Sequence, residues 1–153
     1  MTDLQAIAAL YEEIDNVLES LRDSETGADK GPDPIPRKQQ INDQAYFVLA
    51  WGQFEADIAE TCRDTIRKAQ QDDNWEARRA WALYDPEGRR PPRLTFENQL
   101  SLVLERDSDD WQQAMQFYRV RNQVAHGDLL SERIDVSSVI QQFQVIQASL
   151  VRP

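Results

Sequence analysis

One short stretch of this chain gathers groups that could move a proton beside a phosphate. It reads Arg119-Val120-Arg121-Asn122-Gln123-Val124-Ala125-His126-Gly127. His126 is the only histidine among 153 residues. Imidazole titrates near neutrality and can take up or return a proton at working pH. A guanidinium stays charged and meets phosphate oxygens through two parallel N–H groups. Proton transfer of this kind is worth about 10²–10⁴ in rate. Because one chain offers one imidazole, an enzyme with separate acid and base histidines would need two copies related by a two-fold axis.

The spacing places these groups at one helix end. Trp111, Met115, Tyr118, position 122 and Ala125 form the expected buried stripe of a helix over residues 111–126. Position 122 is Asn, and an amide on an apolar stripe must find a hydrogen bond. Asn122 and His126 are four apart and share a face. Arg121 lies about 100° round the helix from Asn122. Gly127 is suited to end the helix. Bland roles also exist: Asn122 bonding a neighbouring backbone, His126 capping the helix C-terminus, Arg121 pairing with an acid.

The helices that must carry this stretch follow from the placement of glycine and proline. Of twelve such residues, five fall in Gly27–Pro36 and four in Pro86–Pro92, leaving long uninterrupted segments. No segment alternates apolar and polar residues, so the chain reads as all-α: an antiparallel bundle of four to five main helices in a single domain over 1–153. The first helix spans about Asp3–Leu21, with an apolar face and an acidic one. A loop expected to be mobile, about 23–37, follows. The second helix, about Lys38–Gln71, shows the stripe Ile41, Ala45, Val48, Leu49, Gly52, Ala56, Ala59, Cys62 and Ile66. Gly52 there signals either a closely approaching helix or a tolerated defect. Shorter helices follow at Trp75–Tyr84 and after Thr95, a suitable N-cap. Ser108 or Asp109 caps the fifth helix, and the last runs about Val136–Leu150.

RNQVAH resembles the R-x4–6-H signature of the HEPN superfamily, whose commonest form is Arg-Asn-x-x-x-His. The matching residues are Arg121, Asn122 and His126. The setting fits as well: an apolar helix upstream (Phe96, Leu100, Leu104), and an Arg-Asn…His-Gly run ending the helix before the last. The likeness covers the second half of the chain; the first half matches only as helices. It implies a metal-independent endoribonuclease acting as a homodimer with a shared cleft, with Arg121, His126 and Asn122 as catalytic residues. In that role His126 removes the 2′-hydroxyl proton of RNA, and Arg121 binds the phosphate and stabilises its charge. Family members include toxins and phage-defence effectors restrained by an antitoxin or regulatory protein. Others are non-catalytic modules for RNA binding or protein assembly, which is the alternative reading.

Net charge is −10, so no broad electrostatic grip on nucleic acid is expected. The charge is uneven, however. Residues 78–93, which overlap the Arg/Pro-rich loop at about 85–94, hold Arg78, Arg79, Arg89, Arg90 and Arg93 against Asp85 and Glu87. With Arg119, residues Arg89, Arg90 and Arg93 are candidate RNA-binding groups, or a solvated loop. Trp75, Trp81 and Tyr84 could stack on bases or sit in the core. The acidic first helix could engage a basic partner or keep the chain soluble. A lone Cys62 excludes an intramolecular disulfide and a cysteine zinc cluster. One histidine excludes the usual two-histidine metal sites, and no glycine-rich phosphate loop is present, so neither metal nor cofactor is assigned. No apolar run reaches the roughly 20 residues of a membrane span, and the acidic N-terminus lacks a basic leader; a cytoplasmic location is expected.

Overall fold

The computed structural model describes residues 2–25, 35–127 and 130–151. Six helices form among them: α1 (Asp3–Glu25), α2 (Ile35–Ala69), α3 (Trp75–Trp81), α4 (Phe96–Val103), α5 (Asp109–Ala125) and α6 (Val136–Ser149). No strand occurs among the described residues, and the chain is an all-α helical bundle. The loop expected over 23–37 is shorter at both ends, because α1 continues to Glu25 and α2 begins at Ile35. Residues 26–34 lie outside the described part.

Local chemistry explains the helix starts. At α1, Thr2 and Gln5 exchange bonds: Thr2 N–H donates to Gln5 Oε1 at 2.9 Å, and Gln5 N–H donates to Thr2 Oγ1 at 3.3 Å. Pro36 stands in the first turn of α2, where its missing N–H costs nothing. Thr95 caps α4, accepting from Asn98 N–H at 3.3 Å. Ser108, rather than Asp109, caps α5 by accepting from Trp111 N–H at 3.2 Å. Asp135 caps α6, accepting from Ser138 N–H at 2.9 Å.

The chain divides into two compact units, one of residues 1–53 and 117–144, the other of residues 54–116 and 145–153. In the first unit α1, the start of α2, the end of α5 and most of α6 surround an aromatic centre. Trp51 packs on Tyr118 and on Phe143, each with ring centroids 5.9 Å apart, and Phe117 meets Phe143 edge-on at 5.1 Å. Such pairs add about 0.5–1.5 kcal/mol each beyond the area they bury. The second unit is built on Phe54, Ile58, Cys62 and Ile66 of α2, with Leu100, Val103, Trp111 and Ala114. Trp111 Nε1 donates to Ser101 Oγ at 3.1 Å. Gln70 Nε2 donates to the carbonyls of Trp81 and Tyr84, at 2.9 and 2.7 Å, and so ends the α3 segment.

The buried face of α2 differs from the expected stripe over its first half. Ile35, Gln39, Asp43, Phe47, Ala50, Trp51, Phe54 and Ile58 face inward. Ile41 and Leu49 are about half exposed, and Ala45, Gly52 and Ala56 are exposed. The true ladder carries Gln39 and Asp43 at apolar positions, and that polarity hid it. A Cβ added to Gly52 would meet nothing within 4 Å, so among the described residues no helix packs closely against it.

Candidate functional site

The Arg-Asn…His run lies on the last turns of α5, in the first unit. The inward stripe of α5 fades there. Trp111, Ala114 and Met115 are buried; Tyr118, Arg121 and Asn122 are half-buried; Ala125 and His126 are exposed. Ala125 therefore departs from its expected buried place. Burial falls along α5 toward its end, where the polar groups lie.

Asn122 finds its partner next door. Arg121 Nη1 donates to Asn122 Oδ1 at 3.0 Å. The amide thus fixes the guanidinium beside the helix instead of bonding a neighbouring backbone through that oxygen. Past Ala125 the chain leaves α5 in a turn. The His126 N–H donates to Asn122 O at 3.0 Å and is shared with Gln123 O at 3.2 Å. Gly127 N–H donates to Val124 O at 3.0 Å, with φ at +89°, a left-handed conformation that glycine adopts freely. This is the expected glycine stop. The imidazole is presented to solvent one residue past the helix.

Arg119 is exposed on α5 in the same unit. Arg89, Arg90 and Arg93 are exposed in the second unit, between α3 and α4. Their loop is organised around Asp85. Its carboxylate accepts from Glu87 N–H at 3.1 Å and Arg90 N–H at 3.2 Å, and pairs with the Arg90 guanidinium at 3.6 Å. The backbone N–H of Glu87, with help from the Arg90 charge, holds this carboxyl below the usual range. Trp75 is exposed with Arg79 stacked over it at 4.8 Å; Trp81 and Tyr84 pair with each other at 6.1 Å.

A polar cluster behind the segment that follows His126 was not visible as a site in the sequence. Gln39, Asp43 and Gln44 are the buried polar side chains among the described residues. Gln44 grips Leu130 at two points, donating to its carbonyl at 3.2 Å and accepting from its N–H at 3.3 Å. Gln40 Nε2 donates to Ser131 O at 2.6 Å. Asp43, fully buried, accepts from Arg133 at 2.9 and 3.0 Å and from the Tyr11 hydroxyl at 3.0 Å. Arg133 also reaches Asp15 at 2.6 Å. These bonds keep the Arg133 guanidinium charged. Burial first, then the bond to Asp43, pushes the Tyr11 phenol well above its ordinary value. Above the cluster lies a hollow of about 630 Å³ lined by Tyr11, Glu12, Asp15, Asn16, Arg133 and Ser137, among others. The sequence signal for the cluster was a ladder at four-residue spacing, Ile35–Gln39–Asp43–Phe47, whose polar members sit between apolar ones.

Among the described residues no group of three His, Cys, Asp or Glu side chains could hold a metal ion, and no helix is long and apolar enough to cross a membrane. No family model, curated protein or solved structure matches this chain.

Proposed function

We propose that this chain is a metal-independent endoribonuclease of HEPN type, acting as a homodimer with a shared cleft. The observation that carries the reading is the end of α5. A guanidinium bonded to Asn122 and an exposed His126, the only histidine in the sequence, both stand at that helix end. His126 takes the 2′-hydroxyl proton. The 2′-oxygen then attacks phosphorus, and Arg121 stabilises the charge on the non-bridging oxygens. The 5′-oxygen leaves with a proton returned by the partner's His126. The products are a 2′,3′-cyclic phosphate and a 5′-hydroxyl end.

Arg119, Arg89, Arg90 and Arg93 are proposed to bind the RNA backbone, where guanidinium groups meet phosphate. The biological setting follows the resemblance alone: a cytoplasmic toxin or phage-defence effector restrained by an antitoxin or other regulatory protein.

The test is cleavage of a mixed RNA substrate in excess EDTA by the wild type, His126→Ala and Arg121→Ala. The expected result is wild-type cleavage leaving cyclic phosphate ends, reduced at least about 100-fold in either variant. Equal cleavage by His126→Ala would refute the assignment of the proton-transfer group. A folded, dimeric wild type that binds RNA without cutting it would assign the chain to the non-catalytic RNA-binding or assembly class.

A further inference from the structure

The two arginines near His126 lie on different faces of α5. At 100° per residue, Arg119, Gln123 and His126 fall within an arc of about 60°. The His126 N–H bond to Asn122 O continues the helical ladder, so His126 keeps that register. All three residues are exposed. Arg121 lies about 140° round from His126. It is half-buried and spends Nη1 on Asn122. The guanidinium on the imidazole's own face is therefore that of Arg119.

We infer that Arg119 and Gln123 hold a single RNA strand at the phosphate neighbouring the one attacked at His126, so that the preferred substrate carries a phosphate beside the scissile one. This rests on the ribonuclease reading for the scissile position. Seven residues separate Arg119 from His126, a rise of about 10.5 Å along the helix. Helical side chains lean toward the N-terminus, which carries the Arg119 guanidinium away from His126. One phosphate group is too small to bridge that gap. Consecutive phosphates of an extended strand, met by a long and flexible arginine, span it. Arg121 and Arg119 thus take different tasks: charge stabilisation at the reacting phosphate, and grip along the strand.

Three features favour a phosphate backbone on this face. Arg119 forms no ion pair with any described residue, so its charge is open to a ligand. Gln123 stands one turn on and is neutral. A glutamate there would pair with Arg119 at i, i+4 spacing; the amide leaves the guanidinium unpaired and adds a donor for a phosphate oxygen. Finally, residues 111–127 hold no Asp or Glu, in a chain with 27 such acids among 153 residues. The acids at the start of α5, Asp109 and Asp110, lie about 13–15 Å from Arg119 along the axis, beyond a Debye length at physiological salt. A polyanion repelled by a chain of net charge −10 meets a locally positive helix face here.

The test uses the whole chain and a fluorescein-labelled single strand of 2′-O-methyl RNA, whose blocked 2′-oxygen prevents cleavage. Anisotropy titrations compare the wild type with Arg119→Gln and Gln123→Glu. Both positions are exposed, and circular dichroism checks that the variants stay helical. Arg119→Gln should weaken binding about tenfold. It should also flatten the slope of log Kd against log salt by about 0.7, the share of one phosphate contact on a single strand. Gln123→Glu, which offers Arg119 a carboxylate, should weaken binding as much. Binding unchanged in both variants, or a salt slope unmoved by Arg119→Gln, would overturn the proposal. So would poly-glutamate that displaces the RNA at equal charge and loses this ability in Arg119→Gln, since the face would then serve an acidic protein segment. Cleavage identifies which phosphate is held. A dinucleoside monophosphate has no neighbouring phosphate, so Arg119→Gln should cut it as fast as the wild type does. On a longer strand the same variant should raise KM about tenfold at unchanged kcat. Equal losses on both substrates would place Arg119 at the scissile phosphate and refute the assignment. A wild type that binds RNA through Arg119 but cuts neither substrate would sink the ribonuclease reading and leave the strand-binding face standing.

Discussion

Arg133→Met probes the polar cluster behind the candidate site. Asp43 is fully buried, and its carboxylate oxygens accept two bonds from Arg133 and one from Tyr11. Methionine keeps the apolar stem but leaves a buried carboxylate with the Tyr11 hydroxyl as its remaining partner of the two. Removing one member of a buried ion pair costs about 3–5 kcal/mol. The Arg133 side chain is 38% exposed, so solvent already screens part of the attraction and the figure falls to about 2–3 kcal/mol. Its bond to Asp15, 22% exposed, adds at most about 1 kcal/mol. The expected total is about 3 kcal/mol, equivalent to roughly 6–12 °C in Tm for a chain of this size. Urea unfolding followed by both circular dichroism and tryptophan fluorescence would measure it, with coincident transitions as the check on two-state behaviour. Adding Asp43→Asn removes the uncompensated charge while keeping an acceptor for Tyr11. The double variant should therefore be more stable than Arg133→Met alone, with a coupling of at least about 1 kcal/mol. A single-variant cost below about 1 kcal/mol, or no recovery in the double variant, would refute the reasoning: the pair would then behave as a solvated surface bridge.

Three further outcomes are expected. Burial pushes the Cys62 thiol up to about 11. An unfolded thiol ionises near 8.5, so this raised value contributes nothing to be lost below that pH and costs stability as pH rises from about 8.5 to 11. Urea midpoints at pH 7 and pH 10.5 should fall more for the wild type than for Cys62→Ala, and iodoacetamide at pH 8 should label the native thiol far more slowly than the unfolded one. Phe143→Ala removes a fully buried ring touching Trp51 and Phe117 and should cost about 3–5 kcal/mol, read as a lower Cm in urea. Thr95→Ala removes the cap bond to Asn98 N–H and should cost about 1 kcal/mol by the same measurement, with Thr95→Ser close to wild type.

The helices were legible because their breakers are clustered. Glycine and proline fall mostly between α1 and α2 and between α3 and α4, and the caps at Thr95, Ser108 and Gly127 sit where their side chains or backbone freedom are needed. The burial of α2 was harder to read. Periodicity finds an inward face by its apolar residues, and Ile41, Ala45, Val48, Leu49 and Gly52 make a plausible face by that criterion. The packed face instead contains Gln39, Asp43 and Gln44, whose burial is tolerated because the Asp15 carboxylate, backbone groups of Leu130 and the side chains of Arg133 and Tyr11 satisfy them. Those partners lie 24 to 90 residues away in sequence, beyond the reach of any local pattern.

The same separation governs the candidate site. Arg121, Asn122 and His126 are local to one helix end, so their grouping could be read from spacing, and the bond between Arg121 and Asn122 needs only adjacent residues. What holds the next part of the chain is not local at all. From Leu130 to Arg133 the chain is tied to α2 by Gln40, Asp43 and Gln44 and to α1 by Asp15. A buried carboxylate and a buried amide are an expensive way to hold a loop if stability alone mattered, since apolar residues of similar size often do as well or better. Their directionality is what apolar packing lacks: a two-point grip on the Leu130 backbone admits one register. The α5–α6 connection is thus fixed in register three residues beyond Gly127. A substitution such as Gln44→Met should therefore loosen residues 130–133 in hydrogen exchange before it changes the midpoint of global unfolding.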